Sequence, residues 1–302
     1  MSSFVKDRIA KFEVYSKVAN KATNKIVMSA LKPVTVQAQP PKSTKGLKRV
    51  LTVGINYVGT QYVLAGCIND VKNIEAQLKS YFPGCKEYRS LTDEPANPLK
   101  PSRKNILDGI AWLVSGLKAG ENVAFHFSGH GGLIRDKNGD EVTGFDSCIY
   151  PLNGVIMETI SDDELRSLLA ARIPAGCKCF VILDCCHSGS AVDLRCAWQA
   201  PQPATLTYIE NKVYPKSAGT IFFLSGCRDD QTAADTVGKD NKPCGALTMA
   251  LLDTWKQYGV AIKTKYLLWD VRDYLKKNGY DQIPQLSSGA YFDPNTVFDL
   301  SQ

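Results

Sequence analysis

Apolar and polar positions along residues 49–302 alternate in a way that predicts short buried strands separated by amphipathic helices. Continuous apolar runs that end in small or polar residues predict strands at 49–57, 122–130, 178–186 and 220–227. Apolar residues spaced three and four apart predict helices at 69–82, 103–118, 161–172, about 244–258 and 264–277. Strands that alternate with helices predict an α/β fold with a mostly parallel central sheet and helices on both faces.

Two of these helices carry recognisable start signals. Ser161 followed by Glu164 has the pattern of a capping box, in which each side chain binds a backbone amide of the other residue. Asn69 or Asp70 is the expected N-cap of the helix at 69–82, because a short polar side chain there accepts from unpaired amides of the first turn.

The chain divides into a basic N-terminal part and a folded remainder. Residues 1–48 carry ten Lys and Arg residues against two acidic ones, a net charge of +8, whereas the remainder carries −2. We expect this part to be a pro-segment or a mobile tail, with a proline-containing linker at 31–48. The folded remainder, 49–302, is predicted to have a larger part, a loop-like linker rich in proline and a smaller part, at 49–195, 196–219 and 220–302.

Composition excludes several other classes of protein. The apolar fraction of 44% and the charged fraction of 22% are those of a globular chain, and no apolar run is long enough for a membrane span. The first residues lack a continuous apolar segment, so no secretory signal is expected. Ten cysteines without a CxxC pair argue against a zinc ribbon. We therefore expect a cytoplasmic location with reduced thiols.

Candidate chemistry lies just after two of the predicted strands. His130 stands in the run SGHGG, and Cys186 stands in the run DCCHSGS. Because the carboxyl ends of parallel strands meet at one edge of a sheet, imidazole and thiol would come together there. The imidazole would take the thiol proton and later protonate a leaving amine, while amides near Gly131 and at Cys186 would hold the oxyanion.

The neighbouring histidines and cysteine have different expected roles. Cys185 precedes the nucleophile, so its side chain is predicted to point to the other face of the strand as a structural thiol. His126 lies between two phenylalanines and is predicted to be structural. His187 adjoins the nucleophile, and its role stays open.

At this point the sequence resembles the metacaspases, which belong to the caspase-like clan of cysteine peptidases. It lacks the QACRG-type signature of caspases proper, and its short 196–219 segment is similar to that of type I members. The matching motifs run in family order over about 49–290 and are GINY, LAGCINDV, FHFSGHGG, GFDSCIYP, SDDEL, FVILDCCHSGS, SGCRDDQTAAD and IPQLSS.

The resemblance implies a caspase-like three-layer sandwich and cleavage of proteins or peptides after Arg or Lys. An acidic S1 pocket is the physical requirement for a basic P1 side chain, since carboxylates pair with guanidinium and ammonium groups. The family's S1 residues fall on Cys67, Asp70, Ser128 and Asp184.

The resemblance also implies activation by Ca²⁺ through loop ordering rather than Lewis-acid chemistry. Hard Ca²⁺ prefers clustered carboxylate oxygens. The family's acidic ligands match Asp146, Asp162, Asp163 and Asp193.

Zymogen control is a further implication of the resemblance. The N-terminal arm would cross the active site, with Tyr15 as a guess for the blocking residue, and the protein would be monomeric. Exposed lysines in the two predicted linkers are candidate self-cleavage points, at Lys42, Lys45, Lys48, Lys212 and Lys216.

Three alternatives stay open at the level of sequence. The chain could be a catalytically inactive scaffold of the same family, although intact His130 and Cys186 argue against that. It could be another Cys-His hydrolase that acts on small amides. A basic nucleic-acid binder would depend on the N-terminal part alone, and no nucleic-acid partner is expected.

Overall fold

The computed structural model describes residues 46–137, 139, 144–186, 192, 194–226, 235–237 and 242–301, the stretch 235–237 by its backbone alone. Its strands, in chain order, are β1 (Leu47–Gly54), β2 (Glu87–Thr92), β3 (Asn122–Ser128), β4 (Gly131–Arg135), β5 (Phe145–Ile149), β6 (Leu152–Asn153), β7 (Ile156–Met157), β8 (Ile160–Ser161), β9 (Lys178–Asp184), β10 (Cys196–Gln202), β11 (Thr205–Glu210), β12 (Thr220–Ser225), β13 (Asp235–Val237), β14 (Pro243–Gly245) and β15 (Gln285–Ser288). The helices are α1 (Cys67–Tyr81), α2 (Arg103–Val114), α3 (Asp162–Leu168), α4 (Ala246–Tyr258) and α5 (Thr264–Lys277).

An eight-stranded sheet in the order β11-β10-β15-β12-β9-β3-β1-β2 forms the centre of the fold. The five strands from β12 to β2 are parallel to one another, and β15 joins β12 and β10 by antiparallel pairing. The predicted mostly parallel sheet is therefore confirmed. All seven residues of β3 are buried, as expected for a parallel strand covered on both faces.

Helices cover both faces of the sheet and give the three layers that were predicted. Ile110 of α2 and Leu165 of α3 share one apolar cluster with Leu51 of β1. Leu78 of α1 shares the second cluster with Val50, the preceding residue of β1. Neighbouring residues of a strand point to opposite faces, which explains why one apolar run feeds both clusters. Helices α4 and α5 lie with α1 on the second face.

The predicted cap of α1 is wrong, whereas that of α3 is confirmed. Helix α1 begins at Cys67 after Gly66, so Asp70 lies inside its first turn. The Asp70 carboxylate is directed to partners in other elements instead of to its own helix. At α3, the Ser161 hydroxyl accepts from the Glu164 amide and the Glu164 carboxylate accepts from the Ser161 amide, at 3.3 Å each.

The segment predicted as a linker loop at 196–219 mostly forms strands. Its first fifteen residues make an antiparallel hairpin of β10 and β11 at one edge of the central sheet. Alternation in β10 buries Trp198, whose ring lies 4.0 Å from that of Phe292 and whose Nε1 donates to Ser288 at 2.8 Å. Pro201 lies where the β10–β11 pairing is irregular, between Gln199 and Gln202, and Pro203 lies in the turn, so neither has to donate to a regular ladder.

Small accessory sheets follow the main strands at the edge where the chemistry was predicted. β4, β5 and β8 form an antiparallel sheet directly after β3, and β6 pairs with β7 in a short hairpin. β13 pairs with β14 just before α4. These pieces bring residues that are distant in sequence to the carboxyl ends of β3 and β9.

Candidate active site

Cys186 and His130 lie at the ends of two neighbouring parallel strands. β3 ends at Ser128 and β9 ends at Asp184, and these two residues pair in register. His130 and Cys186 each follow two residues later, and both are only partly buried. The sheet thus brings the predicted base and nucleophile to the same edge, as the strand-end argument requires.

Gly131 lies directly against the backbone of the predicted nucleophile. A Cβ placed on Gly131 would collide with the Cys186 carbonyl oxygen and would come within 3.0 Å of the Cys185 Sγ. Glycine is therefore the residue that permits this close approach. The segment after His130 and the segment carrying Cys186 are in contact, which places both residues predicted for the oxyanion hole together.

A loop after β1 orients the His130 side chain. The Nε2 atom of His130 lies 2.7 Å from the Tyr62 carbonyl oxygen. Because a carbonyl oxygen can only accept, this contact assigns the imidazole proton to Nε2 and leaves Nδ1 with the lone pair. Nδ1 is then the nitrogen able to take a proton from a thiol.

Tyr57 anchors the backbone of His130. The Tyr57 hydroxyl accepts from the His130 amide at 2.9 Å and donates to the Tyr150 carbonyl at 2.7 Å. The rings of Tyr57 and His130 lie 4.6 Å apart. Burial holds the pKa of Tyr57 well above its usual value, so the hydroxyl keeps its proton. Tyr57 adopts a φ of +54°, and the Asp93 carboxylate binds the amides of its neighbours Asn56 and Val58 at 2.9 and 3.2 Å.

Two of the predicted S1 residues, Asp70 and Asp184, form a buried acidic group at the sheet edge that carries His130 and Cys186. We call this group the S1 aspartate pair. The Ser128 hydroxyl donates to the Asp70 carboxylate at 2.7 Å. A Cβ added at Gly245 would collide with the Asp184 carboxylate and would come within 2.9 Å of Asp70. Both carboxylates therefore converge on one point, although they come from α1 and β9. Cys67 is buried in the first turn of α1.

Three of the four predicted calcium ligands also lie together, as a group we call the aspartate cluster (Asp146, Asp162 and Asp163). One carboxylate oxygen from each lies within 4.8 Å of the others. Strand β5 supplies Asp146 and the start of α3 supplies the other two, because β5 pairs with β8 immediately before α3. The Asp162 carboxylate also accepts from the amides of Ser147 and Asp163 at 2.6 and 2.8 Å. This set of hard oxygen donors fits Ca²⁺. Asp193 lies outside the described residues.

Comparison with known proteins identifies the family of this chain. A family model described as "Metacaspase, peptidase C14 domain" matches residues 48–195. Metacaspase-2 of Trypanosoma brucei brucei is 34% identical over 266 residues, which cover 84% of this chain and 76% of that protein. The chain belongs to the metacaspase family.

A second relative and two solved structures show how much of each protein is similar to this chain. Metacaspase-1 of Cryptococcus neoformans is 34% identical over 298 residues and 84% of this chain, but the chain spans only 65% of that protein's length. Two solved structures share the fold at low identity. A Geobacter sulfurreducens protein gives a TM-score of 0.56 at 22% identity, over 82% of this chain and 95% of its own. Caspase-1 of Spodoptera frugiperda gives 0.52 at 13% identity, over 86% and 94%.

Sequence reasoning missed the amides that hold the S1 aspartate pair of this metacaspase. The Gly245 amide donates to both Asp70 carboxylate oxygens at 3.0 and 2.9 Å, and the Thr248 amide donates to Asp184 at 2.8 Å. Gly245 is the N-cap of α4, so these donors are the unpaired amides of a helix start, where the dipole favours negative charge. Glycine in the run PCGAL was the only sequence signal.

Sequence reasoning also missed Tyr57 and Tyr62 as partners of the metacaspase histidine. The motif GINY ends in Tyr57, yet nothing in its pattern places the hydroxyl 73 residues further along the chain, at His130. Tyr62 acts through a backbone carbonyl, which any residue type supplies. Only the folding of the loop between β1 and α1 reveals either contact.

The two residues predicted to be structural are buried. His126 is 1% exposed, its Nε2 lies 3.4 Å from the Thr248 hydroxyl, and burial lowers its pKa to about 3. Cys185 is also 1% exposed and packs in the first apolar cluster. No disulfide joins the nine cysteines that the structure describes. His187 lies outside the described residues.

The predicted self-cleavage points have different outcomes. Lys48 lies in β1, and its ammonium group binds both carboxylate oxygens of Glu121 at 2.8 Å, so its assignment to an exposed linker is wrong. Lys212 and Lys216 are exposed between β11 and β12. Lys42, Lys45 and the proposed blocking residue Tyr15 lie outside the described residues. Within the described ranges, no helix has the length and apolar character needed to cross a membrane.

Proposed function

We propose that this metacaspase is a calcium-activated cysteine endopeptidase that cleaves after Arg or Lys with Cys186 as nucleophile and His130 as base. The observation that carries the proposal is the meeting of Cys186, His130 and the S1 aspartate pair at the carboxyl ends of β3 and β9. A thiol, an imidazole and a buried acidic recognition site at one sheet edge are the parts that such a peptidase needs.

The chemistry follows from the orientation of the imidazole. Nδ1 of His130 takes the Cys186 proton, and the thiolate attacks the carbonyl carbon of the scissile bond. Amides of Gly131 and Cys186 stabilise the oxyanion of the tetrahedral intermediate. The imidazolium then gives its proton to the leaving amine, a thioester remains, and water hydrolyses that thioester with His130 again as base.

Recognition of a basic P1 side chain would come from the S1 aspartate pair. Asp70 and Asp184 are 0% and 4% exposed, and amides of the α4 start support their negative charge. A guanidinium or ammonium group would complete this site with charge-assisted hydrogen bonds. Ser128 and Cys67 would shape its walls.

Calcium would bind through Asp146, Asp162 and Asp163, with Asp193 as the fourth predicted ligand. When bound, the ion would neutralise and cross-link these carboxylates. Asp193 follows the nucleophile by seven residues, so ligation would tie the segment after Cys186 to β5 and α3. In this proposal the aspartates order the segment around the nucleophile and take no part in proton transfer.

The proposal extends to self-cleavage, the N-terminal segment, location, oligomeric state and partners. The exposed positions of Lys212 and Lys216 support self-cleavage in the segment between β11 and β12. The part of the predicted N-terminal extension that precedes β1 would act as a pro-segment. The chain would work in the cytoplasm as a monomer, with protein or peptide substrates as its partners.

Hydrolysis of Arg- and Lys-terminated fluorogenic peptides, with calcium and with a chelator, tests the function. Calcium should raise hydrolysis, Cys186→Ala and His130→Ala should abolish it, and Cys185→Ala should retain it after correction for folded protein by thermal melting. Unchanged hydrolysis in Cys186→Ala would contradict the proposal. Hydrolysis of small amides without cleavage of any peptide would favour a different Cys-His hydrolase.

A further inference from the structure

We propose that an exposed apolar patch beside His130 binds the substrate residues that follow the scissile bond and favours bulky apolar side chains there. This inference rests on the proposed peptidase function and assigns a second specificity site to it. The patch is formed by two segments, the loop after β1 and the β6–β7 hairpin, and comprises Val58, Tyr62, Val63, Val155 and Ile156.

These five side chains are unusually exposed for their type. Val58, Tyr62 and Val63 are 64%, 51% and 59% exposed, and Val155 and Ile156 are both 66% exposed. The two segments are neighbours, since a Cβ added at Gly59 would lie 3.8 Å from Cγ1 of Val155. Contiguous exposed apolar groups of this kind mark binding surfaces.

The local structure at the tip of the β6–β7 hairpin also indicates a binding surface. Asn153 pairs with Ile156, so Gly154 and Val155 form a two-residue turn, with Gly154 at a φ of +65°. Polar residues normally occupy such a tip, because it faces water and its side chains gain nothing from burial. Adjacent β-branched side chains at an exposed turn are explained if a ligand covers them.

The patch is continuous with the catalytic histidine. Tyr62 contributes its ring to the patch and its carbonyl oxygen to Nε2 of His130, at 2.7 Å, and the two rings lie edge to face at 6.3 Å. Val58 follows Tyr57, whose ring lies 4.6 Å from the imidazole. One end of the patch is thus built on the loop that orients the base.

The order of residues along the cleaved peptide identifies which part of the substrate binds the patch. The S1 aspartate pair takes the side chain that precedes the scissile bond, next to Asp184 on the strand that leads to Cys186. His130 gives its proton to the leaving amine, which belongs to the residue that follows the bond. The first residues of the leaving peptide therefore lie on the His130 side, where they meet the patch. Apolar side chains there would be removed from water by contact with the patch.

The test uses the full chain with calcium and two internally quenched peptides. The peptides are identical up to a P1 Arg and continue with Ile-Val in one and Ser-Gly in the other. The measured quantity is the ratio of their kcat/KM values, which cancels differences in the amount of active enzyme. We expect the Ile-Val peptide to be preferred by about tenfold, the size of effect that one or two partly buried apolar side chains give.

A paired set of variants assigns the preference to the patch. Val155→Ser with Ile156→Ser should bring the ratio close to one. Ile209→Ser with Val213→Ser removes apolar groups that are 54% and 69% exposed, from β11 and the turn after it, and should leave the ratio at its wild-type value. Strand β11 is four strands away from β9 in the central sheet.

Three results would overturn the inference. A wild-type ratio near one would remove the preference itself, and an unchanged ratio in the Val155 and Ile156 variant would remove the patch from it. A dimer in light scattering that this variant converts to monomer would assign the patch to a second copy of the chain. Cleavage of both peptides that depends on Cys186 but shows no preference would leave the peptidase function intact. No Cys186-dependent cleavage of either peptide would instead contradict the function.

Discussion

The two groups of aspartates in this metacaspase accept hydrogen bonds from different parts of the fold. In the S1 aspartate pair, Asp70 and Asp184 accept from the amides of Gly245 and Thr248 at the start of α4, and Asp70 also accepts from Ser128. In the aspartate cluster, three carboxylates from β5 and α3 approach within 4.8 Å, and the Asp162 carboxylate accepts from the amides of Ser147 and Asp163.

The donors of the S1 pair come from another helix, α4, whereas Asp162 accepts from amides of β5 and α3, which carry the cluster itself. Helix-start amides place partial positive charge against the S1 pair, so the pair forms a preorganised anionic site in the folded chain. Three carboxylates so close together repel one another, and a divalent cation relieves that repulsion. In the proposed function, the first group would serve recognition and the second would serve regulation.

Loss of one S1 carboxylate should have the largest effect. Asp184→Asn should lower kcat/KM for an Arg-terminated peptide at least about thirtyfold, because removing one partner of a buried charge pair costs about 2 kcal/mol or more. Steady-state kinetics at saturating calcium measure this. Asp108→Asn, which changes an exposed aspartate paired with Lys104 on α2, is the matched control. Equal kinetics for both variants would show that the S1 pair does not bind the substrate.

A methyl group at Gly245, whose amide donates to Asp70, should displace the carboxylates of the S1 pair. The Cβ of Gly245→Ala would collide with the Asp184 carboxylate, and relief of such overpacking costs about 1–3 kcal/mol. We expect lower kcat/KM for the Arg peptide and lower stability, with the calcium midpoint unchanged. Chemical denaturation and calcium titration of one preparation separate the three quantities. A shifted calcium midpoint would mean that the two aspartate groups are coupled.

Removal of a charge from the aspartate cluster should affect calcium response rather than recognition. Asp163→Asn should raise the calcium concentration for half-maximal activity about tenfold, because ligand charge count tunes calcium affinity. The ratio of Arg to Lys peptide cleavage at saturating calcium should stay at its wild-type value. Activity titrations on wild type, Asp163→Asn and Asp108→Asn provide the comparison. An identical midpoint in all three would exclude the cluster as the calcium site.

The buried His126 should give the smallest effect, on stability as the pH falls. Its pKa is about 3 in the folded chain against about 6.5 when unfolded, so the unfolded chain binds the extra proton and stability is lost below the unfolded value. Between pH 7.5 and 6 this amounts to about 0.8 kcal/mol. Urea unfolding at both pH values measures this loss of stability. In His126→Gln the loss between the two pH values should be smaller by this amount. An equal loss in wild type and variant would assign the pH dependence to other groups, the aspartates included.

Local pattern was sufficient for the elements of the parallel core. The apolar runs and helical periods located β1, β3, β9, β12 and the five helices, because each of these signals comes from residues close together in sequence. Helix α5 was predicted with its observed bounds, Thr264–Lys277. The hairpin of β10 and β11 was missed, since its prolines favour a loop locally while burial of Trp198 against Phe292 decides for a strand.

The site was predictable as a set of residue types and only partly as a set of contacts. The strand-end rule brought His130 and Cys186 together, and the resemblance to metacaspases proposed the aspartates. The cap assigned to Asp70 was wrong, because its carboxylate accepts from Gly245, 175 residues further along the chain. Such a contact leaves no local pattern in the sequence.

The sequence by itself determined the α/β class, the family and the two residues proposed for catalysis, because strand ends and short motifs are local features. Only the tertiary structure decided how these residues are held. Backbone groups of Tyr62, Gly245 and Thr248 orient the base and the S1 pair, and a backbone amide or carbonyl is the same in every residue but proline. The side chains that perform the proposed chemistry can therefore be identified from the sequence. The backbone groups that orient them can be identified only from the tertiary structure.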